Sequence, residues 1–319
     1  MRDQRWRRVS AAVLAVGLGM SVPATAAAAD QAAAEADSKP VLLVHGYNEG
    51  ADADCEDLWG AARDEFAGRS VRTIGYYEND DHCTEFVDGR GNNDNNTEIQ
   101  DLAKEFANHV YSQYTSKGQS VDVVAHSMGG LVTRVAVLGT REGWSGFPPE
   151  VEVDDVVTLG TPHGGITKNP CSGPDECTYQ WWQMTREEDG GSGFISKLHE
   201  SEKGAADRGF DDAWAKGIDW SLVGSEEDTT VAYDRAIDKG YWAHQKYGFD
   251  EDLNNNGTAD CTSPKNIDHQ AIRLERDGDY CLRYWHHGAD GGPYTTEKGW
   301  APLEIARNAI NHKGDNLPR

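Results

Sequence analysis

Basic residues are scarce in this sequence. It has 30 lysines and arginines against 54 aspartates and glutamates, which gives a formal net charge of −24. Proteins that bind nucleic acid or anionic membrane surfaces need clustered positive charge. We therefore expect no nucleic-acid partner for this chain.

Long apolar segments are also scarce. The apolar stretch at 9–22 is too short to span a bilayer, which argues against a membrane anchor. Four arginines precede it and the small residues Ala24-Thr25-Ala26 follow it, so residues 1–29 have the pattern of a signal peptide. We expect a secreted, extracellular protein without stable membrane insertion. A disordered leader is expected at 30–39 and a single domain at 40–319.

The sequence has only six cysteines and lacks the paired CxxC arrangement of a zinc site. All six lie after the signal peptide, which suits disulfide bonds in an oxidising compartment. Other connectivities are possible, but the simplest pairing by spacing is Cys55–Cys83, Cys171–Cys177 and Cys261–Cys281.

What the sequence does contain is organised around residues 121–138. A β-branched run at 121–124 predicts a buried strand, and apolar residues at helical spacing from 131 to 138 predict a helix after it. Between them lies Ala125-His126-Ser127-Met128-Gly129. On a sharp strand-to-helix turn, such a serine projects its hydroxyl clear of the sheet, and small residues two positions away on either side avoid collisions.

Strands and helices alternate along the chain. Residues 40–44 predict a strand ending at His45-Gly46-Tyr47, and further strands are expected at 71–76, 151–159 and 220–224. This order predicts a mostly parallel sheet with helices on both faces. The pattern loosens at 166–217, which we interpret as a cap-like or lid-like insertion. Residues 250–298 are expected to be a long loop region before a C-terminal helix.

Candidate catalytic residues follow Ser127 in the chain. Asp228 lies in the loop after the strand at 220–224, where an acid can orient an imidazole, although Glu226 and Glu227 are close neighbours. Three histidines come later, namely His269, His286 and His287. A serine hydroxyl becomes a nucleophile when an imidazole accepts its proton, and a carboxylate fixes the tautomer of that imidazole.

Three motifs carry a resemblance to a known family: Val44-His45-Gly46, Ala125-His126-Ser127-Met128-Gly129-Gly130 and Leu159-Gly160-Thr161-Pro162-His163-Gly164-Gly165. Together they resemble secreted bacterial lipases and esterases of the α/β-hydrolase superfamily, in particular class 2 lipases, over residues 40 to about 232. The order Ser, acid, His is also that of the α/β-hydrolase fold. The resemblance implies hydrolysis of carboxylic esters, with Ser127 as nucleophile, Asp228 as orienting acid, and backbone N–H groups of Tyr47 and Met128 as oxyanion donors.

The base is assigned to His269 rather than to His286 or His287. In this fold the base lies in the loop after the last strand, which we place at 244–249. Residues 271–285 are predicted as a hairpin added after the site, with a turn at Asp277-Gly278.

Residues 252–260 resemble the first part of a calcium-binding loop. Oxygen-bearing side chains alternate along it, and a glycine stands at its sixth position; the residues are Asp252, Asn254, Asn256, Thr258 and Asp260. The twelfth position is Ser263, so the bidentate carboxylate is missing. A structural calcium ion and a plain turn both remain open, and no cofactor is expected for catalysis.

The sequence therefore predicts a secreted, monomeric serine hydrolase acting on a small-molecule or lipid ester. Two alternatives stay open. An acyltransferase would use the same acyl-serine but release it to an alcohol other than water. A binding or adhesion module would use exposed aromatic residues and would not need Ser127.

Overall fold

The computed structural model describes residues 39–166, 177–201, 209–263, 266–289 and 294–312. The expected signal peptide, most of the expected leader, and Cys171 lie outside these ranges.

A sheet with the strand order β3-β2-β1-β4-β5-β6-β7-β8-β9 forms the centre of the described chain. Neighbouring strands pair in parallel from β3 to β7, whereas β8 and β9 are antiparallel. The mostly parallel sheet expected from the sequence is thus confirmed. The strands are β1 (Pro40–Val44), β2 (Ser70–Gly75), β3 (Glu85–Phe86), β4 (Val121–His126), β5 (Val153–Leu159), β6 (Asp219–Ser225), β7 (Ala243–Phe249), β8 (Tyr280–Gly288) and β9 (Tyr294–Gly299).

Helices cover both faces of this sheet. They are α1 (Cys55–Glu65), α2 (Ile99–Gln113), α3 (Met128–Arg141), α4 (Tyr179–Met184), α5 (Phe194–Ser201), α6 (Tyr233–Ala236) and α7 (Pro302–Asn311). Val41 and Leu43 of β1 share an apolar cluster with α1 and α7, whereas Leu42 and Val44 share another with α2 and α3. A strand buried on both faces is apolar at consecutive positions, which explains the unbroken run in β1.

The insertion packs on the same face as α2 and α3. Its apolar residues Met184, Phe194, Ile195 and Leu198 are buried in the cluster of those helices. Gln183 of α4 accepts a hydrogen bond from the backbone N–H of Ile99 at 2.8 Å. The insertion therefore supplies a side-chain acceptor for the first turn of α2, whose own N-cap residue makes no side-chain capping hydrogen bond.

The C-terminal region is more regular than expected. Residues 271–285 do not form the predicted hairpin, because β8 pairs with β7 on one side and with β9 on the other. Much of the region predicted as a long loop is therefore strand. The physical reason is burial, since Leu282 and Tyr284 of β8 pack into the cluster that contains α7.

Two of the three expected disulfides are present. Cys55 is bonded to Cys83, with a Cα–Cα distance of 4.9 Å, and Cys261 to Cys281, at 6.0 Å. Cys177 is also disulfide-bonded, and its expected partner Cys171 lies outside the described residues. None of the helices in the described ranges is long and apolar enough to cross a membrane.

Candidate active site

Ser127 stands on a strained turn between β4 and α3. Its backbone angles are φ 54° and ψ −131°, a region that residues other than glycine rarely adopt. The backbone N–H of Ser127 donates to the carbonyl oxygen of Leu159 at 2.9 Å, which ties the turn to β5. A Cβ atom at Gly129 would lie 2.3 Å from the carbonyl oxygen of His45, so no larger residue fits there.

His269 lies between Ser127 and Asp228. Its Nε2 atom is 2.9 Å from Ser127 Oγ, and its Nδ1 atom is 2.7 Å from Asp228 Oδ2. The histidine comes from the segment after β7, and the carboxylate from the loop after β6. The structure thus brings together the three side chains that the sequence nominated as nucleophile, base and acid.

The carboxylate of Asp228 is held on both sides. Its Oδ1 atom accepts backbone N–H groups of Thr230 at 2.8 Å and Val231 at 2.9 Å, which leaves Oδ2 for the imidazole. Asp228 is buried, whereas the neighbouring Glu226 and Glu227 are exposed. The loop therefore presents one of its three acids to His269.

Gly160 makes room for the acid–imidazole pair. Its φ is +58°, and a Cβ atom there would lie 3.2 Å from Asp228 Oδ2 and 3.3 Å from His269 Nδ1. In the sequence this glycine stands out only as part of the motif at 159–165. Its position directly after β5 was the available signal, because glycine at a strand end often marks a close approach of other groups.

The loop after β1 is fixed against Ser127. A Cβ atom at Gly46 would lie 2.6 Å from Ser127 Cβ, so the backbone that leads into Tyr47 passes directly beside the serine. Tyr76 donates its hydroxyl to the carbonyl oxygens of His45, at 2.7 Å, and Gly46, at 2.8 Å. On the other side of the serine, α3 begins at Met128, and the first N–H groups of a helix have no acceptor within the helix.

Asp80, which is not among the residues predicted from the sequence, fixes this loop through buried hydrogen bonds. Its buried carboxylate contacts His45 Nε2 at 2.9 Å and accepts the backbone N–H groups of Ala53, Tyr76 and Tyr77. These contacts hold the pKa of Asp80 below its ordinary value despite burial, which acts in the opposite direction. No local motif in the sequence marks this aspartate.

Known proteins are similar to this chain in part. A family model described as the PGAP1-like alpha/beta domain matches residues 35–171, which include β1, β4 and the turn at Ser127. The fold is that of the α/β-hydrolase superfamily. No curated protein matches the sequence.

Several solved structures are similar to this chain at low identity. Aspergillus fumigatus lipase B is 20% identical with a TM-score of 0.40, over 61% of this chain and 39% of that one. Bacillus licheniformis lipase BlEst2 in mature form is 16% identical with a TM-score of 0.35, and the match covers 60% of this chain and 67% of that chain. Phospholipase PlaB from Legionella pneumophila, in complex with thio-NAD, is 15% identical with a TM-score of 0.39, and the match covers 59% of this chain and 38% of that chain. The chain thus spans about two fifths of the lipase B and PlaB chains.

The two other candidate bases lie away from Ser127. His286 and His287 are near the end of β8, which runs antiparallel to β7. Gly288 therefore pairs with Ala243, at the start of β7, on the edge of the sheet opposite to Ser127. His287 instead contacts Trp242 and His244 through its ring.

His163, in the turn after β5, is a buried structural histidine. Its Nε2 atom is 3.0 Å from Thr158 Oγ1, and its Nδ1 atom is 3.2 Å from the guanidinium of Arg134. Burial and the positive charge of Arg134 hold the pKa of His163 well below its ordinary value. It does not contact the three side chains above.

The nominated calcium loop folds around its first carboxylate. Asp252 accepts the backbone N–H groups of Asn256 at 2.9 Å and Gly257 at 2.6 Å, and Asn254 contacts Asp260 through its side chain. Thr258 donates its backbone N–H to Asn256 Oδ1. No cluster of three or more His, Cys, Asp or Glu residues arranged to hold a metal ion is found within the described ranges. Calcium in this loop stays a prediction, since amide and hydroxyl oxygens also bind calcium.

Proposed function

We propose that this chain is a secreted serine hydrolase that cleaves carboxylic esters through an acyl-serine intermediate. The observation that carries this proposal is the continuous hydrogen-bond chain from Asp228 through His269 to Ser127. It stands at the carboxyl end of a parallel sheet, where ligand sites of open α/β folds occur.

The proposed chemistry follows from these contacts. Ser127 Oγ attacks the ester carbonyl carbon while His269 Nε2 takes the hydroxyl proton. The carbon–oxygen bond of the ester then breaks, and the alcohol leaves with that proton. Water repeats the sequence on the acyl-serine, which releases the acid and restores the serine. Asp228 keeps His269 in the tautomer that carries hydrogen on Nδ1.

The oxyanion of each tetrahedral intermediate is assigned to the backbone N–H groups of Tyr47 and Met128. Two observations support the assignment, namely the contact of Gly46 with Ser127 and the start of α3 at Met128. Donors fixed before the reaction stabilise the developing charge, by about 3–4 kcal/mol for a single donor.

The substrate is proposed to be a small-molecule or lipid ester with an apolar group near Tyr47. The ring of Tyr47 meets that of Trp181 at 5.6 Å, and both are partly buried beside the loop that abuts Ser127. The lipases and the phospholipase among the similar structures are consistent with a lipid ester. The charged and glycine-rich composition of the insertion favours short or soluble esters.

A fluorophosphonate probe tests the proposal directly. We expect stoichiometric labelling of Ser127 in the wild type and none in Ser127→Ala, because the probe reacts with activated serines. Turnover of p-nitrophenyl esters should fall by about three to six orders of magnitude in the variant.

The matched control is Ser221→Ala, which removes another buried serine hydroxyl, bonded to Gln245 at 2.8 Å. It should keep its labelling and turnover. If Ser127→Ala retained most of its rate while folded, the acyl-serine mechanism at Ser127 would be refuted. A wild type that is neither labelled nor active on esters would favour the binding-module alternative. Product analysis with an added alcohol separates hydrolysis from acyl transfer, since a transferase would yield a new ester.

Secretion is proposed from the signal-peptide pattern at 1–29 and from the disulfides, which suit an oxidising compartment. N-terminal sequencing of the protein recovered from culture medium tests it. We expect the mature chain to begin close to residue 27 or 30.

A further inference from the structure

His126, the residue before the nucleophile, contacts the base through its backbone. Its imidazole is 5% exposed, and its Nε2 atom is 2.7 Å from the carbonyl oxygen of His269. The two rings are 4.8 Å apart at an angle of 44°. The side chain therefore joins β4, which carries Ser127, to the segment that carries the base.

The contact defines the tautomer of His126. A carbonyl oxygen can only accept, so Nε2 carries the hydrogen and donates it. The charged groups that act most on the ring are the imidazoles of His269 and His45 and the guanidinium of Arg273. Burial, followed by the charge of His269 and of Arg273, holds the pKa of His126 well below its ordinary value. At neutral pH the ring is uncharged.

The segment around His269 is restrained at three points. Asp268 Oδ1 accepts the backbone N–H groups of Gln270 at 2.9 Å and Ala271 at 2.8 Å, which closes a local turn. Arg273 donates to the carbonyl oxygen of Leu58 at 2.5 Å, which fastens the segment to α1. The third restraint, the contact of His126, joins the segment that carries the base to β4, the strand that leads into Ser127.

We infer that His126 is a positioning residue, which holds the backbone of His269 so that its imidazole stays within hydrogen-bond reach of Ser127 during acyl transfer. This inference rests on the proposed function. A second consequence is electrostatic, because His269 becomes positively charged when it takes the serine proton. A neutral neighbour 4.8 Å away adds no repulsion to that charge.

Two substitutions of His126 separate the hydrogen bond from the volume of the ring. His126→Met keeps an apolar side chain of similar size without a donor, whereas the Nε2 of Gln in His126→Gln can reach the same carbonyl oxygen. We expect His126→Met to lower kcat about 10- to 100-fold with KM changed less than about threefold, because small misplacements of a catalytic group cost rates of this order. His126→Gln should recover kcat to within about fivefold of the wild type.

The control variant is His109→Gln, which replaces another buried histidine, bonded through Nε2 to Glu85 at 2.8 Å on a different face of the sheet. It should leave kcat and KM unchanged. Full kcat in folded His126→Met, or equal losses in the Met and Gln variants, would overturn the inference. If the wild type is not labelled by the fluorophosphonate at Ser127, the proposed function itself fails. If Ser127 is labelled in the wild type but the His126 variants keep the wild-type kcat, only the positioning role is refuted.

A measurement on the unmodified protein covers the case in which a variant does not fold. Nitrogen-15 NMR of the imidazoles should show His126 at neutral pH as the uncharged tautomer with hydrogen on Nε2. The tautomer with hydrogen on Nδ1 would contradict the contact and with it the inference, because its Nε2 atom has no hydrogen to donate.

Discussion

Aspartates lie at both edges of the central sheet, in opposite surroundings. At the carboxyl edge, Asp228 faces one imidazole and two backbone N–H groups. At the amino edge, Asp122, Asp155 and Asp219 are register partners on β4, β5 and β6 and so form one row. Arg69 contacts Asp122 at 2.7 Å, and Lys39 lies 3.6 Å from it. Asp155 instead shares a hydrogen bond with Asp122.

The difference is one of charge compensation. Both carboxylate oxygens of Asp228 have hydrogen-bond partners, namely two backbone N–H groups and one imidazole. In the row, burial and the negative charge of Asp122 raise the pKa of Asp155 to about 9. Asp155 is therefore neutral at pH 7 and donates a hydrogen bond, while Asp228 accepts one. The same residue type takes part in a proposed reaction at one edge and affects only stability at the other.

The largest expected effect is a loss of acylation rate when the histidine at the carboxyl edge is replaced, compared with the histidines at the amino edge. His269→Ala should lower the acylation rate in burst kinetics by about three orders of magnitude or more, because Ser127 loses its proton acceptor. His286→Ala and His287→Ala should leave that rate within about twofold, since β8 carries them to the other edge. A loss confined to either of these two variants would mean that the base is wrongly assigned.

A smaller loss is expected for Gly46→Ala. The added methyl group would lie 2.6 Å from Ser127 Cβ and 3.1 Å from Ser127 Oγ, so the serine or the oxyanion loop must move. We expect kcat/KM for p-nitrophenyl esters to fall about 10- to 1,000-fold. Gly60→Ala is the control, because its added Cβ meets no atom within 4 Å. Unchanged kinetics in Gly46→Ala would remove the loop from the reaction.

At the amino edge, Asp155→Asn should change stability and not activity. The pKa of this carboxyl is about 9 in the folded chain and about 3.9 when unfolded. The folded state therefore holds the extra proton, so its stabilising contribution is complete below about pH 4 and is lost as the pH rises towards 9. Asn keeps the neutral form, and the variant should gain about 1–3 kcal/mol over the wild type between pH 5 and pH 8.

Urea unfolding at pH 5 and at pH 8 measures the gain in the free energy of unfolding. Turnover per folded molecule is the second readout. The control is Asp101→Asn, at an exposed aspartate paired with Lys104. Equal pH dependence in the wild type and Asp155→Asn would show that Asp155 is ionised in the folded chain. A large loss of turnover would contradict the separation of the two edges.

The smallest expected effect concerns calcium at the loop that starts with Asp252, which follows β7. Binding to the folded chain should raise Tm with calcium concentration by mass action, by a few degrees at millimolar levels. Asp252→Ala removes the carboxylate around which the loop turns and should abolish the dependence. A Tm indifferent to both chelator and calcium in the wild type would leave only a turn.

Local patterns account for most of what the sequence predicted. The strand, turn and helix around Ser127 are encoded within 18 consecutive residues, 121–138, and the same holds for β1 with its His-Gly end. Asp228 was identifiable because it lies in the short loop that follows a strand. The placing of these residues at one edge then follows from the parallel order of the strands.

Features set by pairing between distant segments could not be predicted in this way. Whether His269 or His286 approaches Ser127 depends on the direction of β8, which is decided by its pairing with β7. The side-chain acceptor that Gln183 provides to α2 and the contact of His126 with His269 likewise join residues far apart in sequence. The neutral state of Asp155 requires the register of three strands.

The distance along the chain between Ser127 and His269, 142 residues, has a consequence for biosynthesis. A growing polypeptide has its serine, its turn and most of its sheet long before it has a proton acceptor for that serine. The last parallel strand, the segment with His269 and the disulfide to Cys281 are all made afterwards. A chain that ends before residue 269 therefore has the proposed nucleophile but not its proposed proton acceptor, so the proposed reaction requires synthesis beyond β7.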